Sequence, residues 1–200
     1  RHNVKVISDE IHCELIMPGY TFSPFAAVSS DCLKNSVICN SPTKNFNIAG
    51  LQIANIICDN KEWRRRIDRI INIFEVCDVN PFGPIALEAA YNESAEWLNQ
   101  LIPYIAGNYA LLKETFKKQL PNYGVMKLEG TYLVWVDIRK SGLNADELAE
   151  KLLRDGKVQV NSGMMYGKTA GEDYIRINIA CPRAILQEGL NRIVKVLTHL

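Results

Sequence analysis

The sequence predicts an α/β protein in which a mostly parallel sheet is followed by a smaller α+β domain. Two apolar, β-branched runs in the first half, residues 4–8 and 36–39, are each followed by turn-forming residues, which is typical of buried strands. Short alternating runs in the second half follow a long helical pattern. A chain of 200 residues with 48% hydrophobic content is long enough for one or two packed domains.

The first half contains three predicted strands. The third, at residues 51–58, is apolar enough to be buried on both faces of a sheet. Residues 13–30 contain Pro-Gly and Ser-Pro pairs, which favour a loop, with a short helix near residues 25–28. Asn60 is a candidate N-cap for a helix at residues 61–74, whose apolar positions recur every three or four residues.

Two helical patterns connect the halves of the chain. Pro84 suits the first turn of the first helix. A second, longer helical pattern begins near residues 93–94 and continues to Phe116, with Pro103 expected to bend it.

The second half is predicted to form a small sheet with two flanking helices. Asn144 and Glu147 form a plausible capping pair for a helix at residues 145–154, and Pro182 can open the last helix. The predicted strands are residues 125–128, 131–137, 157–160 and 174–180.

The composition argues for a small-molecule partner. The chain has 23 basic and 22 acidic residues, so it lacks the basic surplus of nucleic-acid or membrane-surface binders. No apolar run reaches the roughly 18 residues that a membrane span needs, and no signal peptide opens the sequence. The six cysteines show no metal-ligand spacing, which favours a reduced, cytoplasmic protein without a metal site or a disulfide framework.

Lys44 is the candidate catalytic residue. It follows the strand at residues 36–39, at the carboxyl end where open α/β sheets place their ligand crevices. A lysine shielded from bulk water can lose its proton, and the neutral amine can then form an imine with an aldehyde. The plain alternative is a solvated surface lysine.

Asp9 gives Lys44 a chemical context. It ends the strand at residues 4–8, so in a parallel sheet it emerges at the same edge as Lys44. Such a pair suits pyridoxal phosphate, because the lysine can hold the aldehyde carbon while the carboxylate keeps the pyridine nitrogen protonated. Ser41 could donate its hydroxyl to the cofactor phosphate. The plain alternative for Asp9 is a carboxylate that caps the next turn.

Two segments resemble a known superfamily. S-D-E-I-H at residues 8–12, followed by S-P-T-K-N-F-N-I-A-G-L-Q at residues 41–52, resembles the fold-type-I pyridoxal-phosphate enzymes of the aminotransferase class I/II superfamily. Within it the sequence is most similar to the cystathionine β-lyase-like carbon–sulfur lyases. The resemblance continues through C-P-R at residues 181–183 and covers essentially the whole chain.

The resemblance implies further site residues. It assigns Arg176, whose side chain should point away from those of Ile175 and Ile177 in a strand, to the substrate α-carboxylate; an arginine paired with a nearby acid is the alternative. His12 stands where related aminotransferases carry a tyrosine beside the cofactor's phenolic oxygen, although it could be a plain strand-end histidine. Gln52 stands where many of them have a phosphate-binding arginine, and what replaces that arginine's charge is open.

The resemblance also implies a reaction and an assembly. Residues 1–93 would be the C-terminal part of the pyridoxal-phosphate-binding large domain, and residues 94–200 a linker helix and the small C-terminal domain. Enzymes of this family are about twice as long, so we expect a C-terminal portion of a homodimeric enzyme. The implied activity is elimination of a thiol from S-substituted cysteines. An aminotransferase, or a catalytically silent fragment that keeps the fold, is the alternative.

Overall fold

The computed structural model describes residue 2 and residues 4–200 and shows a mixed α/β chain. Contacts between Cα atoms group it into two compact units, the first ending at Ile102 and the second beginning at Pro103. This division lies within helix α4 (Ala95–Gln119), whereas the predicted boundary lies just before the same helix begins.

The first unit is built around a three-stranded sheet. Its order is β1-β2-β3, with β1 and β2 parallel and β3 antiparallel to β2. The elements are β1 (Val6–Asp9), α1 (Ser30–Lys34), β2 (Ser36–Asn40), β3 (Asn55–Ile57), α2 (Lys61–Ile73), α3 (Phe82–Glu93) and the start of α4. The parallel register pairs Asp9 with Cys39, so both strands end at the same edge.

The third predicted strand was wrong in length and burial. Ala49–Leu51 forms a 3-10 turn, and Gln52 then adopts a left-handed backbone (φ 49°), which ends any extended run. Only Asn55–Ile57 pairs with β2, and the side chains of Ile56 and Ile57 are about half exposed. An apolar run alone does not tell a doubly covered strand from one with an open face.

The predicted helix starts of the first unit are confirmed. The Asn60 side chain accepts hydrogen bonds from the backbone N–H groups of Glu62 and Trp63 at the start of α2, which satisfies two donors without helical partners. Pro84 lies in the first turn of α3. The expected short helix near residues 25–28 is a 3-10 turn at Phe25–Ala27.

The second unit contains a four-stranded antiparallel sheet of order β4-β5-β7-β6. Its elements are the rest of α4, β4 (Gly124–Val125), β5 (Leu133–Asp137), α5 (Ala145–Gly156), β6 (Asn161–Ser162), β7 (Tyr174–Asn178) and α6 (Arg183–Leu197). Alternation along β5 and β7 separates a buried face from a half-exposed one. The buried face carries Val134, Val136, Ile175 and Ile177.

The capping pair at α5 is confirmed, and the strand after it was placed too early. Asn144 and Glu147 form a complete capping box. Lys157 is the C-cap of α5 and has a left-handed backbone (φ 54°), so residues 157–160 do not extend the sheet. Pairing with β7 begins only at Asn161.

Two further observations apply to the described part of the chain. None of its helices combines the length and hydropathy that a bilayer crossing requires. All six cysteines are free thiols.

Candidate functional site

The edge where β1 and β2 end brings two of the predicted site residues together. Asp9 is the last residue of β1, and the loop that carries Lys44 begins directly after Asn40, the last residue of β2. The strands are held together to their ends, since the Glu10 N–H donates to the Cys39 carbonyl at 2.8 Å. Asp9 and Lys44 therefore leave the sheet at a common edge, and both side chains are exposed.

Residues 41–48, here called the lysine loop, are fixed by their own hydrogen bonds. The Phe46 N–H donates to the Pro42 carbonyl at 2.9 Å, and the Ile48 N–H donates to the Thr43 carbonyl at 3.0 Å. Thr43 and Asn45 are buried while Lys44 between them is exposed. Lys44 is thus exposed on a loop whose two neighbouring residues are buried.

Asn45 anchors the lysine loop from the position next to Lys44. Its residue surface is fully buried, and its amide Nδ2 donates to the Glu14 carboxylate. Its backbone carbonyl accepts from the Trp97 indole N–H at 3.0 Å. Contacts with two distant segments hold the backbone on which Lys44 stands.

Two groups near Glu14, the Cys13 thiol and the Tyr91 hydroxyl, are uncharged at neutral pH because their pKa values are raised. Burial raises the pKa of the Cys13 thiol to about 12, and the neighbouring Glu14 carboxylate adds to the shift. Partial burial, again with Glu14, raises the pKa of Tyr91 to about 12. The Phe46 ring meets the Tyr91 ring edge-on, with centroids 5.9 Å apart.

Asp9 both caps the following turn and keeps an oxygen available. Its Oδ1 accepts from the Ile11 N–H at 3.2 Å, as the plain interpretation expects, while Oδ2 makes no hydrogen bond within the described residues. Its charge adds to the effect of burial in raising the pKa of Cys39, because β1 and β2 run side by side. Asp9 can therefore accept one more donor.

Ser41 is the first residue of the lysine loop, and its hydroxyl is already hydrogen-bonded. It is buried, its Oγ donates to the Ile53 carbonyl at 2.5 Å, and it accepts from the Thr43 N–H at 3.1 Å. His12 is half-buried in the turn after β1, and Gln52 is exposed beyond the loop. The roles assigned to these three residues from the sequence stay predictions.

Arg176 belongs to the second unit, on the half-exposed face of its sheet. It lies on β7 directly opposite Trp135 of β5. Its guanidinium carbon is 4.5 Å from the centroid of the Tyr166 ring and 6.0 Å from that of Trp135. Within the described residues no carboxylate pairs with Arg176, and its Nε is buried without a hydrogen-bond partner. The alternative of an arginine paired with a nearby acid is therefore not what the structure shows.

Sequence reasoning missed Glu10, Glu14 and Asn45. The buried Glu10 carboxylate accepts from the Ser8 hydroxyl and the Phe25 N–H, both at 3.0 Å, and so ties a loop to the end of β1. Asn45 and Glu14 are 31 positions apart. The available signal was a run of polar residues next to Asp9 and Lys44, which does not reveal which of them turn inward.

Comparison with known proteins gives a family and several close relatives. The family model for aminotransferase class I and II matches residues 1–193. The cystathionine β-lyase PatB of Bacillus subtilis is 39% identical over 98% of this chain and 51% of its own length. The crystal structure of cystalysin from Treponema denticola, which contains pyridoxal 5'-phosphate, superimposes with a TM-score of 0.93, at 31% identity over 98% of this chain and 49% of its own.

Curated aminotransferases are also among the relatives, at lower identity than the cystathionine β-lyases. Aromatic-amino-acid aminotransferase 2 of Thermococcus litoralis is 25% identical over 98% of this chain and 49% of its own length. The chain spans about half the length of the curated relatives it matches.

Proposed function

The chain belongs to the aminotransferase class I and II family, and from that membership we propose that it acts in a pyridoxal-phosphate-dependent carbon–sulfur β-lyase. The reaction is an α,β-elimination. An S-substituted cysteine and one water give a thiol, pyruvate and ammonium. The observation that carries the proposal is the common edge at which Asp9 and the lysine loop leave the parallel strands.

The residues at this edge suit pyridoxal phosphate. Pyridoxal phosphate offers an aldehyde to an amine and a basic pyridine nitrogen to a carboxylate. Lys44 supplies an exposed amine on a fixed loop, and Asp9 keeps one oxygen available for a donor. When bound, the cofactor supplies an electron sink for the bond that breaks at the substrate Cα.

Lys44 and Asp9 have distinct tasks in this scheme. Lys44 Nζ would hold the cofactor through its aldehyde and would take the proton from the substrate Cα. The Asp9 carboxylate would keep the pyridine nitrogen protonated. The anchoring of Asn45 by Glu14 and Trp97 keeps the backbone next to Lys44 fixed while the amine changes partners.

Arg176 is the proposed substrate-binding residue. A guanidinium without a protein carboxylate partner is available for an incoming one, and a planar fork matches a carboxylate with two parallel hydrogen bonds. His12 is proposed to lie beside the cofactor's phenolic oxygen. Ser41 is proposed to bind the cofactor phosphate. Its hydroxyl, which donates to the Ile53 carbonyl in this structure, would then donate to a phosphate oxygen instead.

The assembly and setting remain proposals as well. We assign residues 1–93 to the cofactor-binding domain and residues 94–200 to the linker helix and small domain. The homodimer is proposed from the family resemblance. The cytoplasmic location is proposed from the cysteines, whose free thiols in the described chain are compatible with a reducing compartment.

The experiment is a product assay with cystathionine and pyridoxal phosphate. Release of pyruvate and a thiol without any keto-acid acceptor is the expected result, and Lys44→Ala should slow it on the order of 10³-fold. Turnover that requires an acceptor would instead establish the aminotransferase that the T. litoralis relative exemplifies. If the protein shows no turnover and no visible cofactor band, it is a catalytically silent member of the fold, and the proposal is overturned.

A further inference from the structure

We propose that Tyr166 is a positioning residue that holds the Arg176 guanidinium in place through its ring. The inference rests on the proposed function, in which Arg176 binds the substrate carboxylate. It goes beyond that function by naming which side chain fixes the orientation of Arg176, and through which contact.

The guanidinium lies against two aromatic rings that are themselves in contact. The Tyr166 ring is the nearer, with its centroid 4.5 Å from the guanidinium carbon. The Trp135 ring meets the Tyr166 ring edge-on, with centroids 5.4 Å apart and an interplanar angle of 86°. Stacking on an aromatic face restricts a guanidinium to a plane while leaving its N–H groups available at the edge.

Within the described residues, neither a hydrogen bond nor an ion pair orients this guanidinium. No carboxylate pairs with it, and its Nε has no hydrogen-bond partner. Arg183 in the same unit shows the contrast, because it combines a stack on Tyr104 with a hydrogen bond from its Nε to Asn108. Arg176 contacts its rings without such a hydrogen bond, so the loss of one ring should change its orientation.

The backbone around Tyr166 is well placed for this task. Its N–H donates to the Gly163 carbonyl at 2.9 Å. Gly163 and Gly171 approach so closely that a Cβ on either would collide with the backbone carbonyl of the other. This contact closes the loop on which Tyr166 stands and fixes where its ring can lie.

The ring of Tyr166, rather than its hydroxyl, makes the contact. Within the described residues the hydroxyl has no hydrogen-bond partner. The ring also lines a mostly apolar cavity of about 370 Å³, together with Trp135 and Met126. A smaller side chain at position 166 would therefore open space beside the guanidinium instead of supporting it.

The test compares three variants of the holoenzyme. Tyr166→Leu should raise KM for an S-substituted cysteine about 3- to 10-fold, as expected for the loss of a cation–π contact, with kcat changed less. Tyr166→Phe should restore the wild-type KM, because it keeps the ring. Met165→Ala is the matched control: it changes the neighbouring exposed residue of the same loop and should leave KM unchanged.

A comparison of ligands locates the effect at the carboxylate. The KM for the corresponding α-carboxamide should be the same in Tyr166→Leu and wild type, because this substrate offers no carboxylate to Arg176. An equal increase for acid and amide would mean general damage to the loop and would overturn the proposal.

A spectroscopic readout separates this inference from the proposed function. The side-chain Nε–H signal of Arg176, assigned by its absence in Arg176→Lys, should carry an upfield ring-current shift in wild type and Tyr166→Phe that Tyr166→Leu lacks. If the signal behaves so but no lyase activity exists, the positioning holds and the proposed function fails. If activity depends on Arg176 while Tyr166→Leu changes neither the signal nor KM, the positioning fails and the function stands.

Discussion

The two units of the chain carry different parts of the proposed site and are packed differently. Among the largest fully buried side chains described, Leu15 alone lies in the first unit, and the rest lie in the second. The first unit instead exposes large apolar residues on its sheet and helices, such as Ile7 at 76% and Phe74 at 69%. The proposed chemical residues, Lys44 and Asp9, thus stand on the less enclosed unit, and Arg176, the proposed substrate-binding residue, on the better packed one.

The difference in packing shows which contacts hold Lys44 and Arg176 in place. Lys44 is held by a few specific polar contacts at Asn45, whereas Arg176 stands on a sheet backed by a closed apolar core. Substitutions near Lys44 should therefore mainly lower kcat. Substitutions in the core behind Arg176 should mainly lower the free energy of unfolding.

The largest expected effect comes from removing the amine in the first unit. Lys44→Ala should abolish the visible absorption of bound cofactor and lower kcat on the order of 10³-fold, because the general base at Cα is lost. Lys34→Ala, at another exposed lysine of the same unit, is the control and should change neither quantity. Retention of the cofactor band in Lys44→Ala would contradict the assignment.

The next effect contrasts the packing of the two units directly. Leu148→Ala, at a fully buried position of α5, should lower the free energy of unfolding by about 2–5 kcal/mol. Ile7→Ala, at an exposed position of β1, should change it by less than about 0.5 kcal/mol. Urea unfolding of both variants measures the difference, and comparable losses would remove the distinction between the units.

A smaller effect is expected when Arg176 is replaced by lysine, which keeps the positive charge but lacks the planar guanidinium. Arg176→Lys should raise KM by about 10- to 100-fold, since charge-assisted hydrogen bonds contribute about 1.5–3 kcal/mol. Arg154→Lys, at an exposed arginine of the same unit that pairs with Asp155, should leave KM unaltered. Steady-state kinetics would refute the role of Arg176 if the two variants behaved alike.

The smallest effect is a pH dependence in the second unit. Hydrogen bonds from Arg154 and Lys151 lower the pKa of Asp155 to about 2, so its ionised form is favoured in the folded state. This contribution is present above the unfolded pKa of about 4 and is lost as the pH falls toward 2. The wild type should therefore exceed Asp155→Asn slightly in urea midpoint at pH 6, and this advantage should vanish near pH 2. A constant difference would exclude the linkage.

Local signals in the sequence predicted much of the fold. The caps at Asn60 and Asn144 could be predicted because a cap depends on residues within one helical turn. The strand at residues 51–58 failed because the left-handed backbone at Gln52 and the open face of β3 depend on the rest of the fold. The same holds for residues 157–160, where Lys157 ends a helix instead of beginning a strand.

The candidate site was predictable only in part. The positions of Asp9 and Lys44 at the ends of neighbouring strands follow from chain order and a parallel pairing. The contact of Asn45 with Glu14 and the stack of Tyr166 on Arg176 join residues through loops whose course no short pattern specifies. Such contacts become visible only with coordinates.

The most direct measurement is the covalent mapping of the cofactor-bearing lysine. Borohydride reduces a lysine–aldehyde linkage to a stable amine, so protein incubated with pyridoxal phosphate, reduced and digested can be read by peptide mass spectrometry. The account predicts the phosphopyridoxyl group on Lys44, in the peptide that follows β2. An unmodified Lys44, with the group on another lysine of an active protein, would contradict it.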